Sequence, residues 1–374
     1  MKKFLIILLA IVLASSAFLA LSGCKPKEKE ADKFEIALVT DKGTIDDKSF
    51  NQGAWEGVVQ YATEFKKTHK YYQPTNATNN DYIDAIDLAV KGGAKVVVCP
   101  GFLFEVAVYT CQTKYPDVNF ILLDGAPHTE DYSVFKTEKN VASIFYAEEE
   151  AGFLAGYAAV MDGMTDLGFM GGMAVPPVVR FGYGFIQGAD TAAQDLGLGE
   201  DAIKVRYHYT GDFKASPEIE TMSAAWYSEG ANVIFGCGGA VGNSVMAAAA
   251  KAGKKVIGVD VDQSSESPTV ITSAMKQLKK SVYDNLKDLY DGKFKGGESQ
   301  RFDAKVGGIG LPFENSKFDK FSKEDYDTLY ARLVAGDFKI LKDDQAGKEG
   351  DPTAADAEKG LQPLEAPRVK VIYI

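Results

Sequence analysis

The stretch from Thr40 to Gln52 gathers carboxylates, amines, amides and an aromatic ring within one short segment. It follows the apolar run Glu35–Val39, which predicts a β-strand. Ligands of open parallel sheets bind beyond the carboxyl ends of the strands, so we expect Phe50 and Asn51 to face a ligand. The candidates for capping the helix that follows are Asp46, Asp47 and Ser49.

Polar or ring-bearing residues recur where later predicted strands end or helices begin. They are Asp124, Phe181, Asp260, Asp262 and Lys276. Each alone could be a helix cap or a surface residue, but together they occupy both halves of the chain. A single cleft shared by the two halves would explain the positions of all these residues. Such a cleft would bind its ligand through hydrogen-bond acceptors and donors and through flat rings.

Signatures of catalysis are missing from the sequence. It has no G-x-x-x-x-G-K-[ST], G-x-S-x-G, H-E-x-x-H or C-x-x-C motif. The residues 236–242 follow a strand and are rich in glycine, but their spacing does not match a dinucleotide-binding turn. The histidines His69, His128 and His208 are interpreted as surface or packed residues. We therefore expect no enzyme activity, no cofactor and no metal site.

The elements that must position these residues alternate along the chain. Nearly continuous apolar runs predict strands covered on both faces, and the segments between them have helical spacing. The expected strands of the first half are 35–39, 96–99, 120–123 and 142–145, with helices at 51–66, 82–92 and 104–114. The pattern then restarts with a helix at 148–161, which predicts two similar α/β halves with doubly wound parallel sheets.

The ends of the chain and its charge narrow the possible locations and partners. Met1–Lys3 is positive and Phe4–Leu13 is apolar, which is typical of a secretory signal; an uncleaved membrane anchor is the alternative. The formal net charge of −11 over 374 residues disfavours nucleic acid as a partner. The residues after Asp343 favour irregular chain that closes with a short apolar strand at Val369–Ile374.

The cysteines fit no zinc pattern. Leu21–Cys24 resembles the lipobox of bacterial lipoproteins, which implies a signal peptide at 1–23, a lipid on Cys24 and a tether at 24–32. The other cysteines, Cys99, Cys111 and Cys237, are interpreted as buried small hydrophobes. A Cys99–Cys111 disulfide stays open as an alternative.

Several motifs together resemble the basic membrane protein family of lipoprotein receptors for ABC importers. The longest is Val39–Gln52, and the others, in family order, are Glu150–Gly156, Phe181–Phe185, Gly238–Asn243 and Ile257–Gln263. The resemblance covers about residues 34–335. It implies a type I periplasmic-binding fold with a hinge of three crossings. Lobe 1 would comprise 33–146 plus 261–298, lobe 2 147–260 plus 299–340, and 341–374 would be an irregular C-terminal segment that does not align.

The resemblance also implies roles for the candidate residues. Phe50 and Phe181 match the rings that enclose a nucleoside base, and Asp124 matches the carboxylate that contacts it. The other matching positions are Asp41 and Asn51 in the first lobe and Gly238, Asp260 and Lys276 around the ribose. The expected protein is a monomeric, lipid-anchored receptor on the extracytoplasmic face that passes guanosine, inosine or adenosine to a permease and its ATPase.

Other functions remain open from the sequence alone. A receptor of the same fold could bind a sugar, a furanose signal or a flavin, although two facing rings favour a flat ligand. A surface enzyme acting on nucleosides or sugars is disfavoured by the missing catalytic motifs. A membrane sensor would differ from an importer in its neighbouring genes, which would encode a kinase and not a permease.

Overall fold

The computed structural model describes residues 33–342 and 364–374. The predicted signal peptide, Cys24, the tether and the residues 343–363 of the C-terminal segment lie outside the described residues. From Phe34 onward the chain forms one compact unit.

Strands and helices alternate along most of this unit. The strands are β1 Ile36–Val39, β2 His69–Tyr72, β3 Val96–Pro100, β4 Asn119–Leu123, β5 Val141–Tyr146, β6 Asp166–Gly171, β7 Ile203–Tyr209, β8 Val233–Cys237, β9 Lys255–Asp260, β10 Val270–Lys276, β11 Ser299–Phe302, β12 Ile309–Gly310 and β13 Val369–Tyr373. The helices are α1 Phe50–Glu64, α2 Asn79–Lys91, α3 Glu105–Lys114, α4 Glu148–Met161, α5 Pro176–Asp195, α6 Pro217–Ser228, α7 Val241–Ala252, α8 Leu278–Tyr290 and α9 Lys323–Ala335.

The strands form two sheets, one for each lobe. The first has six strands in the order β11-β5-β4-β3-β1-β2, all paired in parallel. The second has seven strands in the order β12-β10-β9-β8-β6-β7-β13, in which only the β10–β12 pair is antiparallel. The alternation of strands and helices is thus confirmed as a parallel α/β architecture.

The apolar runs form the central strands because helices cover both faces of each sheet. Every residue of β1, β3 and β8 is buried, as expected for strands inside a parallel sheet. The core of the second lobe is rich in aromatic rings, including Phe169, Tyr207 and Phe235. The free thiols of Cys99 and Cys111 are buried in the first lobe, so this structure contains no disulfide between them.

The pairing of β10 and β11 corrects the expected lobe boundaries. Val270–Lys276 was assigned to lobe 1 within 261–298, but it pairs in parallel with β9 in the second sheet. Ser299–Phe302 was assigned to lobe 2 within 299–340, but it pairs with β5 in the first sheet. The chain therefore passes between the lobes after Tyr146, after Lys276 and after Phe302.

The predicted strand near the C-terminus exists, and it has a definite partner. Val369–Tyr373 pairs in parallel with β7 at the edge of the second sheet. Within the described ranges, none of the helices combines the length and the apolar character required to cross a lipid bilayer.

Helices α4 and α5 contact each other backbone to backbone through glycines. A methyl group on Gly152 would overlap the carbonyl oxygen of Phe181, and one on Gly184 would overlap that of Glu149. Gly156 and Gly188 extend the contact by one turn on each helix. Helix separation depends on the side chains at the contact, so these glycines bring the start of α4 against Phe181.

Candidate functional site

All eight residues that the sequence assigned to ligand binding line one cleft between the lobes. They are Asp41, Phe50, Asn51, Asp124, Phe181, Gly238, Asp260 and Lys276. The cleft contains about 580 Å³ of empty space, including open solvent at its mouth. The eight residues meet in this cleft because the strands within each sheet are parallel, so the carboxyl ends of the strands lie at the same edge of that sheet.

Asp47 is the residue that caps α1. Its carboxylate accepts hydrogen bonds from the backbone N–H groups of Ser49, Asn51 and Gln52, at 2.9, 3.1 and 3.1 Å. Burial raises the pKa of Asp47, while these hydrogen bonds lower it. Of the three candidate caps, Asp47 thus satisfies the free donors of the first helical turn.

Asn51 holds two carboxylates in place at the start of this helix. Its Nδ2 atom donates to Asp41 Oδ1 at 2.8 Å and to Asp47 Oδ2 at 2.9 Å, and its Oδ1 accepts from the Asp41 backbone N–H. The amide is therefore largely occupied by protein groups. Burial raises the pKa of Asp41 to about 6, against the hydrogen bonds from Gly43 and Asn51.

Phe50 and Phe181 approach one ammonium group from opposite lobes. Lys276 Nζ lies 4.8 Å from the centroid of the Phe50 ring and 5.3 Å from that of Phe181. Phe50 is the first residue of α1, and Phe181 lies in the second turn of α5. The two rings thus form apolar walls around a common cation.

Asp124 has one paired and one unpaired oxygen. Lys276 Nζ donates to Asp124 Oδ2 at 2.7 Å, whereas Oδ1 is buried and has no hydrogen-bond partner among the described residues. Burial raises the pKa of Asp124, and the Lys276 ammonium opposes this shift. The backbone φ of 61° places Asp124 in the left-handed region, a strain that often occurs at functional sites.

Asp260 occupies the corresponding position in the second lobe, at the end of β9. Its φ is also positive, at 67°, and its Oδ2 accepts a hydrogen bond from the Ser49 hydroxyl of the first lobe. Burial raises the pKa of Asp260 to about 6, with Lys276 and Ser49 opposing. Gly238, at φ 149°, packs so closely on the Gly172 backbone that a side chain would collide.

Two charged residues near the cleft were missed by the sequence analysis. Glu148 Oε1 lies 3.0 Å from Lys276 Nζ, and its Oε2 lies 2.7 Å from Arg180 Nε. Glu148 is the first residue of α4. It was missed because acidic residues are common at helix N-termini, where they interact favourably with the helix dipole. The sequence does show a signal, the run of three glutamates at Glu148–Glu150. In the structure Glu148 and Glu149 are buried.

The neighbours of Glu148 link the lobe crossings. Glu149 Oε1 accepts from Arg301 at 2.6 Å, and Glu150 Oε2 accepts from the Ala304 backbone N–H at 2.8 Å. Arg301 lies on β11 and Ala304 directly follows the third crossing. The start of α4 is thus bonded to all three crossings, because Glu148 contacts Lys276 at the second.

The lining of the cleft suits noncovalent contacts with a small molecule. It offers buried acceptors, the Lys276 ammonium and two aromatic rings, together with apolar side chains such as Phe102, Val178 and Phe213. Across the described ranges, no group of three or more His, Cys, Asp or Glu residues is placed to hold a metal ion.

Sequence relatives share most of the length of the chain. It is 34% identical over 345 residues to the "ABC transporter nucleoside-binding protein BmpA" of Lactococcus lactis, covering 84% of this chain and 93% of the relative. It is 29% identical over 337 residues to "Basic membrane protein A" of Borreliella burgdorferi, covering 88% and 93%.

Solved structures share the fold. A solute-binding protein of an ABC transporter system from Aeropyrum pernix superimposes with a TM-score of 0.66 at 25% identity, covering 90% of this chain and 87% of that one. A second from Conexibacter woesei gives 0.64 at 20% identity, covering 82% and 99%. These neighbours confirm the expected type I periplasmic-binding fold.

The family assignment follows from the sequence match together with this fold. Residues 34–333 match the family described as "ABC transporter substrate-binding protein PnrA-like". The chain therefore belongs to the Bmp family of ABC transporter substrate-binding proteins.

Proposed function

We propose that this protein binds a purine nucleoside between its two lobes and delivers it to the permease of an ABC importer. The observation that carries the proposal is the placement of Phe50 and Phe181, which approach Lys276 from opposite lobes. Stacking of a base on an aromatic ring contributes about 1–3 kcal/mol. The similarity to a relative named as nucleoside-binding supports the same ligand class.

The unpaired oxygen of Asp124 supports recognition of the base edge. An ionised carboxylate only accepts hydrogen bonds, so Asp124 Oδ1 would accept from N1–H of hypoxanthine or from N1–H and N2–H of guanine. Adenine N1 is an acceptor and would face it unfavourably. We therefore expect guanosine and inosine to bind at least as tightly as adenosine.

The ribose is assigned to the second lobe and the hinge. Its hydroxyl groups can donate to the Asp260 carboxylate, and Lys276 can donate to ribose oxygens. A side chain at position 238 would collide with the Gly172 backbone, so this position requires a glycine, which leaves room for the sugar. Removing a ribose hydroxyl would leave Asp260 buried without that partner, a loss of about 1–3 kcal/mol.

Isothermal titration tests the proposal directly. The compact unit from Phe34 to Ile374 is unfolded and refolded to remove carried ligand, then titrated with inosine, guanosine, adenosine, cytidine, ribose and riboflavin. We expect one-to-one binding of purine nucleosides, weakened by Phe50→Ala and by Phe181→Ala. Binding of ribose or riboflavin without any nucleoside would replace the ligand and leave the receptor function standing.

Replacement of Asp124 tests the base contact. Asp124→Ala removes the acceptor, so affinity should fall more for inosine and guanosine than for adenosine, by about tenfold or more. The measurement is the ratio of dissociation constants for inosine and adenosine. If adenosine binds tightest to the unaltered protein and all purines lose affinity equally in the variant, Asp124 does not read the base edge.

The receptor is further proposed to be attached to the membrane on its extracytoplasmic face. The motif Leu21–Cys24 supports a lipid on the Cys24 thiol and removal of residues 1–23. Mass spectrometry of the mature protein should find a lipid-modified Cys24 at the N-terminus. Cys24→Ala should abolish the modification, and an unmodified mature N-terminus in the unaltered protein would contradict the anchor.

A further inference from the structure

A buried row of alternating charges runs from Asp124 into the second lobe. Lys276 Nζ lies 2.7 Å from Asp124 Oδ2 and 3.0 Å from Glu148 Oε1, and Arg180 Nε lies 2.7 Å from Glu148 Oε2. The side chains of Asp124, Lys276 and Glu148 are 4%, 2% and 0% exposed, and that of Arg180 is 15% exposed. Charges in such surroundings are weakly screened by water, so each influences its neighbours strongly.

Arg180 stands at the far end of this row. It does not line the cleft, whereas Asp124 and Lys276 do. We propose that Arg180 is a positioning residue that sets base selectivity: through Glu148 and Lys276 it keeps the Asp124 carboxylate ionised, with Oδ1 as an acceptor. The inference rests on the proposed function, because it takes a purine nucleoside as the ligand.

The charges of the row explain how Arg180 acts at a distance. With Arg180 present, Glu148 is paired with the Arg180 guanidinium, and the Lys276 ammonium can pair with Asp124. Without the Arg180 charge, two buried carboxylates share one ammonium, and a proton on Asp124 relieves their repulsion. Burial is the largest influence and raises the pKa of Asp124, and the Glu148 carboxylate adds to the rise. Lys276 and, to a smaller extent, Arg180 lower it, so loss of the Arg180 charge would raise the pKa further.

Protonation of Asp124 would reverse what the site accepts. A protonated carboxyl can donate, so Asp124 would then pair with the N1 acceptor of adenine instead of the N1–H donor of hypoxanthine. The acceptor state favours inosine, and the donor state favours adenosine. The charge of Arg180 thus selects between two bases that differ at the same edge.

Several titratable groups surround Asp124. Lys276 on β10, Glu148 on α4, Arg180 on α5 and Tyr146 on β5 interact with Asp124 itself. Asp260 on β9 interacts with Lys276, and Glu105 on α3, which is paired with His128, packs against the neighbouring Gly125. The Arg180 variants leave all of the other groups in place. A difference between the variants therefore reports the Arg180 charge itself.

The test compares Arg180→Met with Arg180→Lys in the full chain. Affinities for inosine and adenosine are measured by titration between about pH 5.5 and 8.5. In Arg180→Met, the preference for inosine over adenosine should fall on the order of tenfold near neutral pH. As the pH is lowered, inosine binding should weaken at a higher pH in this variant than in the unaltered protein. Arg180→Lys keeps the positive charge and should retain most of the inosine preference.

Glu148→Gln provides a second variant with the opposite expected sign. It removes a negative charge beside Lys276, so Asp124 should stay ionised to lower pH and inosine binding should persist there. The double variant Arg180→Met with Glu148→Gln should recover the original preference.

The possible outcomes separate this inference from the proposed function. If the unaltered protein binds both nucleosides but the preference and its pH profile do not change in Arg180→Met, this inference alone is overturned. A shift of Glu148→Gln in the same direction as Arg180→Met also overturns it. Absence of purine nucleoside binding to the unaltered protein would overturn the proposed function and this inference together.

Discussion

Single residues in the cleft carry a cost in folding stability. Asp41, Asp124 and Asp260 are carboxylates with pKa values raised by burial. Asp124 and Asp260 in addition adopt a positive φ that costs about 1–3 kcal/mol each in a non-glycine residue. A ligand that donates hydrogen bonds to these groups would recover part of this free energy only when it is bound.

Asp260→Asn should stabilise the ligand-free protein and weaken its binding of ribonucleosides. Because the folded-state pKa of Asp260, about 6, exceeds its ordinary value of 3.8, the folded protein binds more protons in that interval. The loss of folding stability caused by Asp260 is therefore absent below about pH 4, grows between about pH 4 and pH 6, and stays constant at higher pH. Unfolding by urea at pH 8 should show a gain of about 1–3 kcal/mol.

The control for this prediction is Asp46→Asn, which removes a negative charge from an exposed position in the loop between β1 and α1. It should change the unfolding free energy little at either pH. Equal stability changes in Asp260→Asn at pH 4 and pH 8 would show that ionisation of Asp260 is not the cause.

The residue scale also shows what sequence reasoning could reach. Asp124, Asp260 and Lys276 were predictable because each ends an apolar strand, and parallel strands present their ends on one side. Glu148 was not predictable in the same way. Its role depends on Lys276 and Arg180, which are distant in the sequence and meet it only through the packing of α4 and α5.

At the scale of elements, the α4–α5 pair explains two of the sequence motifs. Gly152 and Gly156 belong to the motif Glu150–Gly156, and Gly184 belongs to Phe181–Phe185. These glycines contact the backbone of the opposite helix. The two motifs are therefore one structural feature, which places Phe181 in the cleft and Arg180 against Glu148.

Gly184→Ala should destabilise the protein and weaken ligand binding together. The added methyl group would overlap the Glu149 carbonyl oxygen, so the helices must separate, at a cost of at least about 2 kcal/mol. The measurements are urea unfolding and nucleoside titration. Gly199→Ala is the matched control, since a methyl group there meets nothing within 4 Å; comparable losses in both variants would contradict the packing argument.

Other elements were placed less accurately from the sequence, for physical reasons. The strands β2 and β11 were not predicted, because His69–Tyr72 and Ser299–Phe302 are the partly exposed edge strands of the first sheet and lack apolar runs. Helix α5 begins at Pro176, ahead of its apolar helical spacing, since prolines at the first helical positions need no hydrogen-bond donor. The lobe boundaries were wrong because β10 pairs with the strand immediately before it.

At the scale of the whole molecule, the two lobes touch across the cleft as well as through the crossings. Gln263 Nε2 donates to the Lys48 carbonyl oxygen at 2.7 Å, and Ser49 donates to Asp260. A ligand held by Phe50 on one side and Phe181 on the other adds contacts that only the closed arrangement provides. Hinge closure of this kind is a known response of periplasmic receptors to their ligands.

Ligand binding should therefore compact and stabilise the molecule. At a free nucleoside concentration one hundred times the dissociation constant, the unfolding free energy should rise by about 2.7 kcal/mol. Small-angle scattering should show a smaller radius of gyration with inosine than without it. Tight binding with unchanged scattering would mean that the lobes are already closed before the ligand arrives.

The C-terminal strand β13 affects how copies of the protein meet. Without Val369–Tyr373, the seven-residue strand β7 would lie at the open edge of the second sheet. Open edges present unpaired backbone groups that recruit strands from other chains. Proteolytic trimming of the last residues would thus turn a self-contained receptor into one prone to strand exchange and aggregation, even with its cleft intact.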